Sequence, residues 1–230
     1  MKTVIIHGQS HKGSTYNIAK LLQEKIGGEY TEFFLPKDFS HFCTGCTACI
    51  IKDEKLCPGY DALEPIVKAM DGADLLIFAS PVYVCHVTGP MKSFLDHFGY
   101  RWMIHRPEEK MFKKQAVCIS TAAGGGTKST NKDISDSLFF WGIPRIYKLG
   151  YNVRATAFKD ISPGLIKKIQ KDTEKLAKKI NKKNGKIKPG IKTRGLFQIS
   201  KKLHTLAGWN QADCRYWEEK GWSKNTKPWK

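Results

Sequence analysis

Short apolar segments alternate with amphipathic helical segments along the chain, and this alternation restricts the possible folds more than any other sequence feature. Helical patterns, with apolar residues three and four apart, follow the strand-like segments. Such alternation is typical of an α/β protein with a doubly wound five-stranded parallel sheet. We expect this domain over residues 1–180 and a C-terminal extension over residues 181–230. The predicted strands are 3–7, 29–35, 75–80, 114–121 and 145–157.

Cysteine content and hydropathy indicate the compartment. No stretch approaches the ~18 consecutive apolar residues of a membrane span, and the first residues lack the apolar core of a secretion signal. Seven cysteines are an odd number, in a chain of 230 residues that is too large to need disulfide staples. These features predict a cytoplasmic protein in a reducing compartment.

Three unusual loops follow predicted strands, at the edge where open parallel sheets bind ligands. The first loop, residues 8–16, brings hydroxyls, an imidazole and free amides to the start of a helix, which suits a phosphate; a plain polar turn is the alternative. Ser14 stands where a Walker loop has its lysine, and the chain has no Gly-x-Gly-x-x-Gly motif. The second loop, residues 80–84, and the glycine-rich third loop, residues 121–127, together suit a flat heterocycle.

Residues 1–180 resemble the flavodoxin-like NAD(P)H-dependent FMN reductases, and especially their iron–sulfur flavoprotein branch. The most specific match runs from Ser80 through Pro81-Val82-Tyr83 to Pro90-Met91-Lys92-Ser93-Phe94-Leu95-Asp96. The first loop is similar to the family's Gly-Ser-Pro-Arg-Lys-Gly-Ser loop, with Gln9 and His11 departing from the usual Ser and Arg.

The resemblance implies an FMN cofactor with NAD(P)H as co-substrate. The first loop would hold the FMN phosphate, the Pro-x-Tyr segment would lie along the isoalloxazine, and the third loop would cover its other side. No residue is assigned as a catalytic acid or base, because the flavin carries the chemistry. The expected FMN-binding residues are Gln9, Ser10, His11, Gly13, Ser14, Thr15, Tyr16, Ser80, Pro81, Val82, Tyr83, Val84, Thr121, Ala122, Gly124, Gly125 and Gly126.

Four cysteines, Cys43, Cys46, Cys49 and Cys57, lie close together after the second predicted strand. Three thiolates at x2 spacings can wrap one face of a cubane, and a fourth completes the ligation of one [4Fe-4S] cluster. Zinc fits less well, because its sites more often use two separated Cys-x2-Cys pairs; free or redox-active thiols are the other alternative. The isolated Cys118, in a buried strand, is expected to serve the core.

The positive charge is concentrated near the C-terminus. Of the net charge of +18, residues 159–230 carry +14. The extension also holds four of the six tryptophans and a helical pattern of Leu196, Ile199, Leu203 and Leu206. We expect it to pack on its own domain or on a partner subunit, tryptophans inward. Peripheral contact with an anionic membrane is the second alternative, and nucleic acid is favoured least, because no recognised module accompanies the charge. The tryptophans are Trp209, Trp217, Trp222 and Trp229.

The predicted function is that of an FMN-dependent oxidoreductase. It would take hydride from NAD(P)H and pass electrons to the cluster, a quinone, a flavin, another small-molecule acceptor or a redox protein. One alternative is an electron-transfer flavoprotein with a ferredoxin-type partner and no small-molecule substrate; another is a cofactor-free scaffold. The resemblance also implies a homodimer or homotetramer with FMN near the subunit interface.

Overall fold

The computed structural model describes residues 1–208 and 210–230, and the described residues form one five-stranded sheet flanked by helices. The strands are β1 Thr3–His7, β2 Tyr30–Phe34, β3 Leu75–Pro81, β4 Gln115–Ala122 and β5 Arg145–Asn152. The helices are α1 Ser14–Ile26, α2 Ala48–Ile51, α3 Tyr60–Gly72, α4 Gly89–Asp96, α5 Thr127–Phe140, α6 Pro163–Lys183, α7 Ile191–Lys202 and α8 Gln211–Glu219.

The sheet has the order β2-β1-β3-β4-β5, and all four pairings are parallel. This is the strand order of the flavodoxin-like fold, in which the chain reverses direction across the sheet beside β1. The predicted doubly wound fold is therefore confirmed. The carboxyl ends of β1, β3 and β4 lie next to one another, and the three loops noted in the sequence start there.

Both faces of the sheet are buried, which explains why its central strands are apolar throughout. In β3, Leu76 and Phe78 contribute to the core beneath α3, α4 and α5, while Leu75 and Ile77 face the core beneath α1 and α6. The isolated Cys118 of β4 is fully buried, and burial raises the pKa of its thiol to about 12. The predicted core role of this cysteine is confirmed.

The predicted fifth strand is too long at its carboxyl end. The amide of Val153 still donates to Ala122 O at 2.8 Å, but Arg154 has a φ of 49°. Left-handed backbone at a non-glycine residue breaks the extended conformation, so β5 ends at Asn152 rather than at 157.

The apolar face predicted for the extension is wrong. In α7 the buried residues are Thr193, Leu196, Phe197 and Ser200, at the spacing of one helix face. Ile199 is 55% exposed, so the true face is rotated relative to the predicted one. The shift has a polar cause, because the Ser200 hydroxyl donates to Met103 O at 2.6 Å. Leu206, also placed on the predicted face, is 81% exposed.

The extension packs its aromatic residues inward, against the domain. Trp217 and Trp222 are buried in a third core with Phe112 and Phe197, and Trp229 packs against it. Trp209 lies outside the described residues. None of the helices in the described ranges combines the length and the apolar character needed to cross a lipid bilayer.

The rotated face of α7 predicts unequal effects from two truncations on the same helix. Phe197→Ala removes a buried ring and should lower the free energy of unfolding by about 3–5 kcal/mol. Ile199→Ala, the matched control, should change it by less than about 1 kcal/mol. Urea denaturation of both variants gives the comparison. Equal losses would contradict the assigned face.

Candidate functional site

A cleft lies at the carboxyl edge of the sheet, between the loops that follow β1, β3 and β4. The first loop leads into α1, whose first-turn N–H groups have no carbonyl partner within the helix. Ser14 and Thr15 lie in this turn, nearly buried, and line the cleft. Free N–H groups, hydroxyls and the positive end of a helix together form an anion site.

Hydrogen bonds join the first loop to the other two loops. Thr15 Oγ1 lies 2.5 Å from Thr121 Oγ1, and Gln9 Nε2 donates to the Tyr83 hydroxyl at 3.4 Å. The Val82 amide donates to Thr121 O at 2.9 Å. The three loops therefore form one connected wall around the cleft.

The third loop depends on Gly126, which has a φ of 91°. A Cβ at this position would lie 2.6 Å from Val82 Cγ1 and 2.9 Å from Cys85 Cα. Only glycine permits both the left-handed backbone and this close approach. The Pro-Val-Tyr loop and the glycine-rich loop are consequently packed together at this point.

A histidine–glutamate pair that sequence reasoning missed lies at the base of the cleft. His7, the last residue of β1, places Nε2 2.9 Å from Glu32 Oε1, and its ring stacks on Phe34 with centroids 4.6 Å apart. Burial lowers the pKa of His7, which favours the neutral imidazole. The available signal was a polar residue at the end of an otherwise apolar central strand.

The four clustered cysteines follow β2 on the same edge of the sheet. Cys43 and Cys46 are exposed, whereas Cys49, in α2, and Cys57 are partly buried. Burial, as the larger cause, and negative charge on Cys57, Cys43 and Cys46 together raise the pKa of Cys49 to about 11. The four sulfur atoms are thus close enough to interact electrostatically.

The spacing of the four sulfur atoms bears on the metal they could hold. Throughout the described residues, no three of them lie within 4.8 Å of one another. Tetrahedral zinc requires sulfur atoms about 3.8 Å apart, given a Zn–S bond of about 2.3 Å. A cubane spreads its four ligands over four iron atoms, so it requires wider spacing of the sulfur atoms than zinc does.

Comparison with known proteins identifies the family. The sequence model for NADPH-dependent FMN reductase matches residues 1–154. The chain belongs to the NADPH-dependent FMN reductase family. This membership makes it an oxidoreductase of a flavin-using family.

Two relatives of this FMN reductase are iron–sulfur flavoproteins, which places the chain in that branch. One, from Archaeoglobus fulgidus, is 29% identical over 96% of this chain and 99% of its own length. Another, from Methanocaldococcus jannaschii, is 32% identical over 58% of this chain and 69% of its own length. The Archaeoglobus match is long enough to extend into the C-terminal extension.

Solved structures of low sequence identity share the fold of this FMN reductase. An azoreductase from Bacillus anthracis has a TM-score of 0.61 at 11% identity, covering 78% of this chain and 99% of its own. An FMN-dependent NADH-azoreductase from the same species, in complex with FMN, has a TM-score of 0.59 at 14% identity, covering 79% and 100%.

The structure gathers most of the sequence-predicted FMN residues around one cleft. Those that line it are Gln9, His11, Gly13, Ser14, Thr15, Tyr16, Pro81, Val82, Tyr83, Thr121 and Ala122. Six others lie outside the lining: Ser10, Ser80, Val84, Gly124, Gly125 and Gly126. The lining residues that were not predicted are His7, Ala79, Ala123, Val153, Ala155 and Thr156.

Physical reasons account for the positions of the six residues outside the lining. Ser80 is fully buried, and its Oγ accepts the Thr88 amide at 3.1 Å. The Ser10 hydroxyl faces Leu35 O at 3.4 Å, and Val84 is 96% exposed. Gly126 packs against Val82 and Cys85 and does not line the cleft. Gly124 and Gly125 are exposed, with open space around them.

The raised pKa of Cys49 predicts a steep pH dependence of its alkylation. At pH 8 only about one thiol in a thousand is ionised for a pKa of about 11, and the thiolate is the nucleophile. The rate should therefore rise about tenfold per pH unit between pH 7.5 and 9.5. Iodoacetamide labelling of the iron-free, FMN-loaded protein, quantified per cysteine by mass spectrometry, measures it. A rate that levels off below pH 9 would contradict the burial of this thiol.

Proposed function

We propose that this protein binds FMN in the cleft between the three loops and takes hydride from NAD(P)H there. The observation that carries the proposal is the cleft itself, with a free helix N-terminus at one end and an aromatic side chain, Tyr83, at the other. These are the groups that a phosphate and a flat ring system require. The cleft belongs to a chain whose family is defined by FMN reduction.

The residues of the cleft have separable roles in this proposal. The first turn of α1, with Ser14 and Thr15, would hold the FMN phosphate through N–H and hydroxyl donors. The hydrogen bond between Thr15 and Thr121 would fix the phosphate end relative to the ring end. Val82, Tyr83 and the Gly126 turn would shape the slot for the ring. When bound, FMN supplies the hydride and electron chemistry.

The four-cysteine segment would hold a [4Fe-4S] cluster, through Cys43, Cys46, Cys49 and Cys57. Two observations support this assignment: the electrostatic interaction of the Cys49 thiol with the other three thiols, and the names of the iron–sulfur flavoprotein relatives. A cluster supplies one-electron transfer. Because the segment leaves the same edge of the sheet as the cleft, electrons would pass between the two sites and on to a small-molecule acceptor or a redox protein.

Domain organisation and assembly follow from the same proposal. Residues 1–180 would be the FMN-binding domain and residues 181–230 an extension packed on it. Exposed apolar residues around the two sites, including Phe42 at 77% and Val84 at 96%, favour a second copy covering this edge. A homodimer or homotetramer would bury them.

Anaerobic reduction tests the proposed reaction. NADPH or NADH added to the FMN-loaded protein should bleach the flavin absorbance near ~450 nm within seconds, because the cleft presents the ring to a nicotinamide. If both nucleotides fail while a reduced ferredoxin-type donor succeeds, the protein is an electron-transfer flavoprotein. A purified protein that does not bind FMN would contradict both functions.

A matched pair of glycine substitutions tests the position of FMN. Gly126→Ala places a methyl group 2.6 Å from Val82 Cγ1 on a backbone with a φ of 91°. The resulting strain, of order 1–3 kcal/mol, should displace the Pro-Val-Tyr loop and weaken FMN binding roughly tenfold. Gly124→Ala, where a Cβ meets nothing within 4 Å, should bind FMN within about twofold of the parent. Fluorescence titration measures the FMN affinity of both variants. Identical affinities of Gly126→Ala and Gly124→Ala would place FMN elsewhere in the protein.

A further inference from the structure

A buried charged cluster lies where the extension meets the domain. Asp213 of α8 is fully buried and accepts two hydrogen bonds from the loop at residues 105–107. His105 Nδ1 lies 2.7 Å from Asp213 Oδ2, and Arg106 Nη1 donates to Asp213 Oδ1. A buried carboxylate needs such partners to offset its desolvation.

Arg106 also contacts the cysteine segment. Its Nη1 donates to Ile50 O at 3.0 Å, and its Nη2 donates to Cys49 O. Both carbonyls belong to α2, a helix of four residues whose last carbonyl groups lack partners within the helix. Arg106 Nε also lies 3.7 Å from Glu54, three residues before Cys57. The guanidinium of Arg106 therefore connects the backbone at Cys49, the third cysteine, with the turn that precedes Cys57, the fourth.

The extension supplies a second hydrogen-bond donor to the carbonyl of Ile50. Asn210 Nδ2 donates to Ile50 O at 2.8 Å, while Asn210 Oδ1 accepts the Ala212 amide and caps α8. Two more bonds from α8 hold the backbone of the loop that carries Arg106. Trp217 Nε1 donates to His105 O at 2.7 Å, and the Tyr216 hydroxyl donates to Pro107 O at 2.5 Å.

His105, His204 and Asp213 place their ligand atoms within 4.8 Å of one another, but a hydrogen-bonded structural role explains the cluster without a metal. The guanidinium of Arg106 already neutralises Asp213. A divalent cation would leave an excess of buried positive charge, which is costly in a low-dielectric environment. Burial lowers the pKa of His204 to about 4, so its imidazole remains neutral against Trp217.

We propose that α8 is a structural part of the cysteine site. Asp213 orients Arg106; Arg106 and Asn210 hold the carbonyls of Cys49 and Ile50, and thereby fix the Cys49 thiol relative to the other three. Arg106, Asn210 and Asp213 are positioning residues. The inference rests on the proposed function only in taking the four thiols as cluster ligands, since the contacts concern the cysteine segment whether or not iron is bound.

Asn210→Ser is the most selective test. Serine caps a helix as well as asparagine does, so α8 keeps its start, but the shorter side chain loses the bond to Ile50 O. In FMN-loaded, iron-free protein, alkylation of Cys49 should become about five- to tenfold faster, as expected for one lost hydrogen bond. Cys43, Cys46 and the buried Cys118 should react as in the parent. Glu219→Gln, an exposed site on α8, is the matched control.

Arg106→Gln should have a larger effect on the same readout, because it removes both carbonyl contacts and one of the two hydrogen-bond partners of Asp213. If this variant also exposes Cys118, the domain has unfolded and Asn210→Ser alone decides. After anaerobic reconstitution, a displaced Cys49 should also alter the EPR signal of the reduced cluster. Unchanged Cys49 labelling in Asn210→Ser, or equal acceleration at all four cysteines, would overturn the inference.

Failure of the cluster assignment gives a different result. A parent protein that retains less than ~0.5 iron per chain after reconstitution removes the cluster from the proposed function. The labelling experiment on iron-free protein still decides whether the extension positions Cys49. Conversely, the parent protein could hold about four irons per chain while the variants show the same Cys49 labelling as the parent. That result would support the cluster and exclude the positioning role of the extension.

Discussion

Parallel pairing of all five strands is the constraint on which the rest of the structure depends. Because every strand runs in the same direction, every carboxyl end meets at one edge, and every connection must cross back through a helix. The loops after β1, β3 and β4 are therefore neighbours, although the first and third are more than a hundred residues apart in the chain. The hydrogen bond between Thr15 and Thr121 is a direct result of this arrangement. The cysteine segment reaches the same edge for the same reason, since it follows β2.

Most of the net charge of +18 belongs to α6 and the extension, since residues 159–230 carry +14. Along α6, lysines such as Lys171, Lys175 and Lys178 face solvent, while Ile169 and Leu176 pack against the sheet. The long amphipathic pattern thus belongs to a crossover helix, as it does in many α/β domains. In the extension, Trp217 and Trp222 are buried in a core that they share with Ile104 and Phe112 of the domain. These tryptophans belong to the interior of the protein, so the packed extension that the sequence favoured is the arrangement observed.

How much the sequence predicted depended on the range of the interactions involved. The strands, apart from the carboxyl end of β5, the crossover helices and the positions of the three loops follow from local patterns, and the sheet edge follows from chain topology, so these were predicted correctly. The face of α7 was wrong because Ser200 is buried by a bond to Met103, which no hydropathy pattern reveals. The pairs His7–Glu32 and Arg106–Asp213 were missed because their members lie 25 and 107 residues apart in the chain. The contact between His105 and Asp213 was missed for the same reason, since the two residues are 108 positions apart.

The two sites are built in different ways, and this difference has a mechanical consequence. The cleft is formed by loops that the sheet itself positions, so its geometry depends on the core of the domain. The cysteine segment has little core of its own: α2 contains no buried residue, and its carbonyls are held by Arg106 and Asn210. Arg106 in turn is held by Asp213, which belongs to the last helix of the chain. Local opening of α8 would therefore free the cysteine segment while leaving the cleft intact, because the free energy of opening one packed element is smaller than that of unfolding the whole domain.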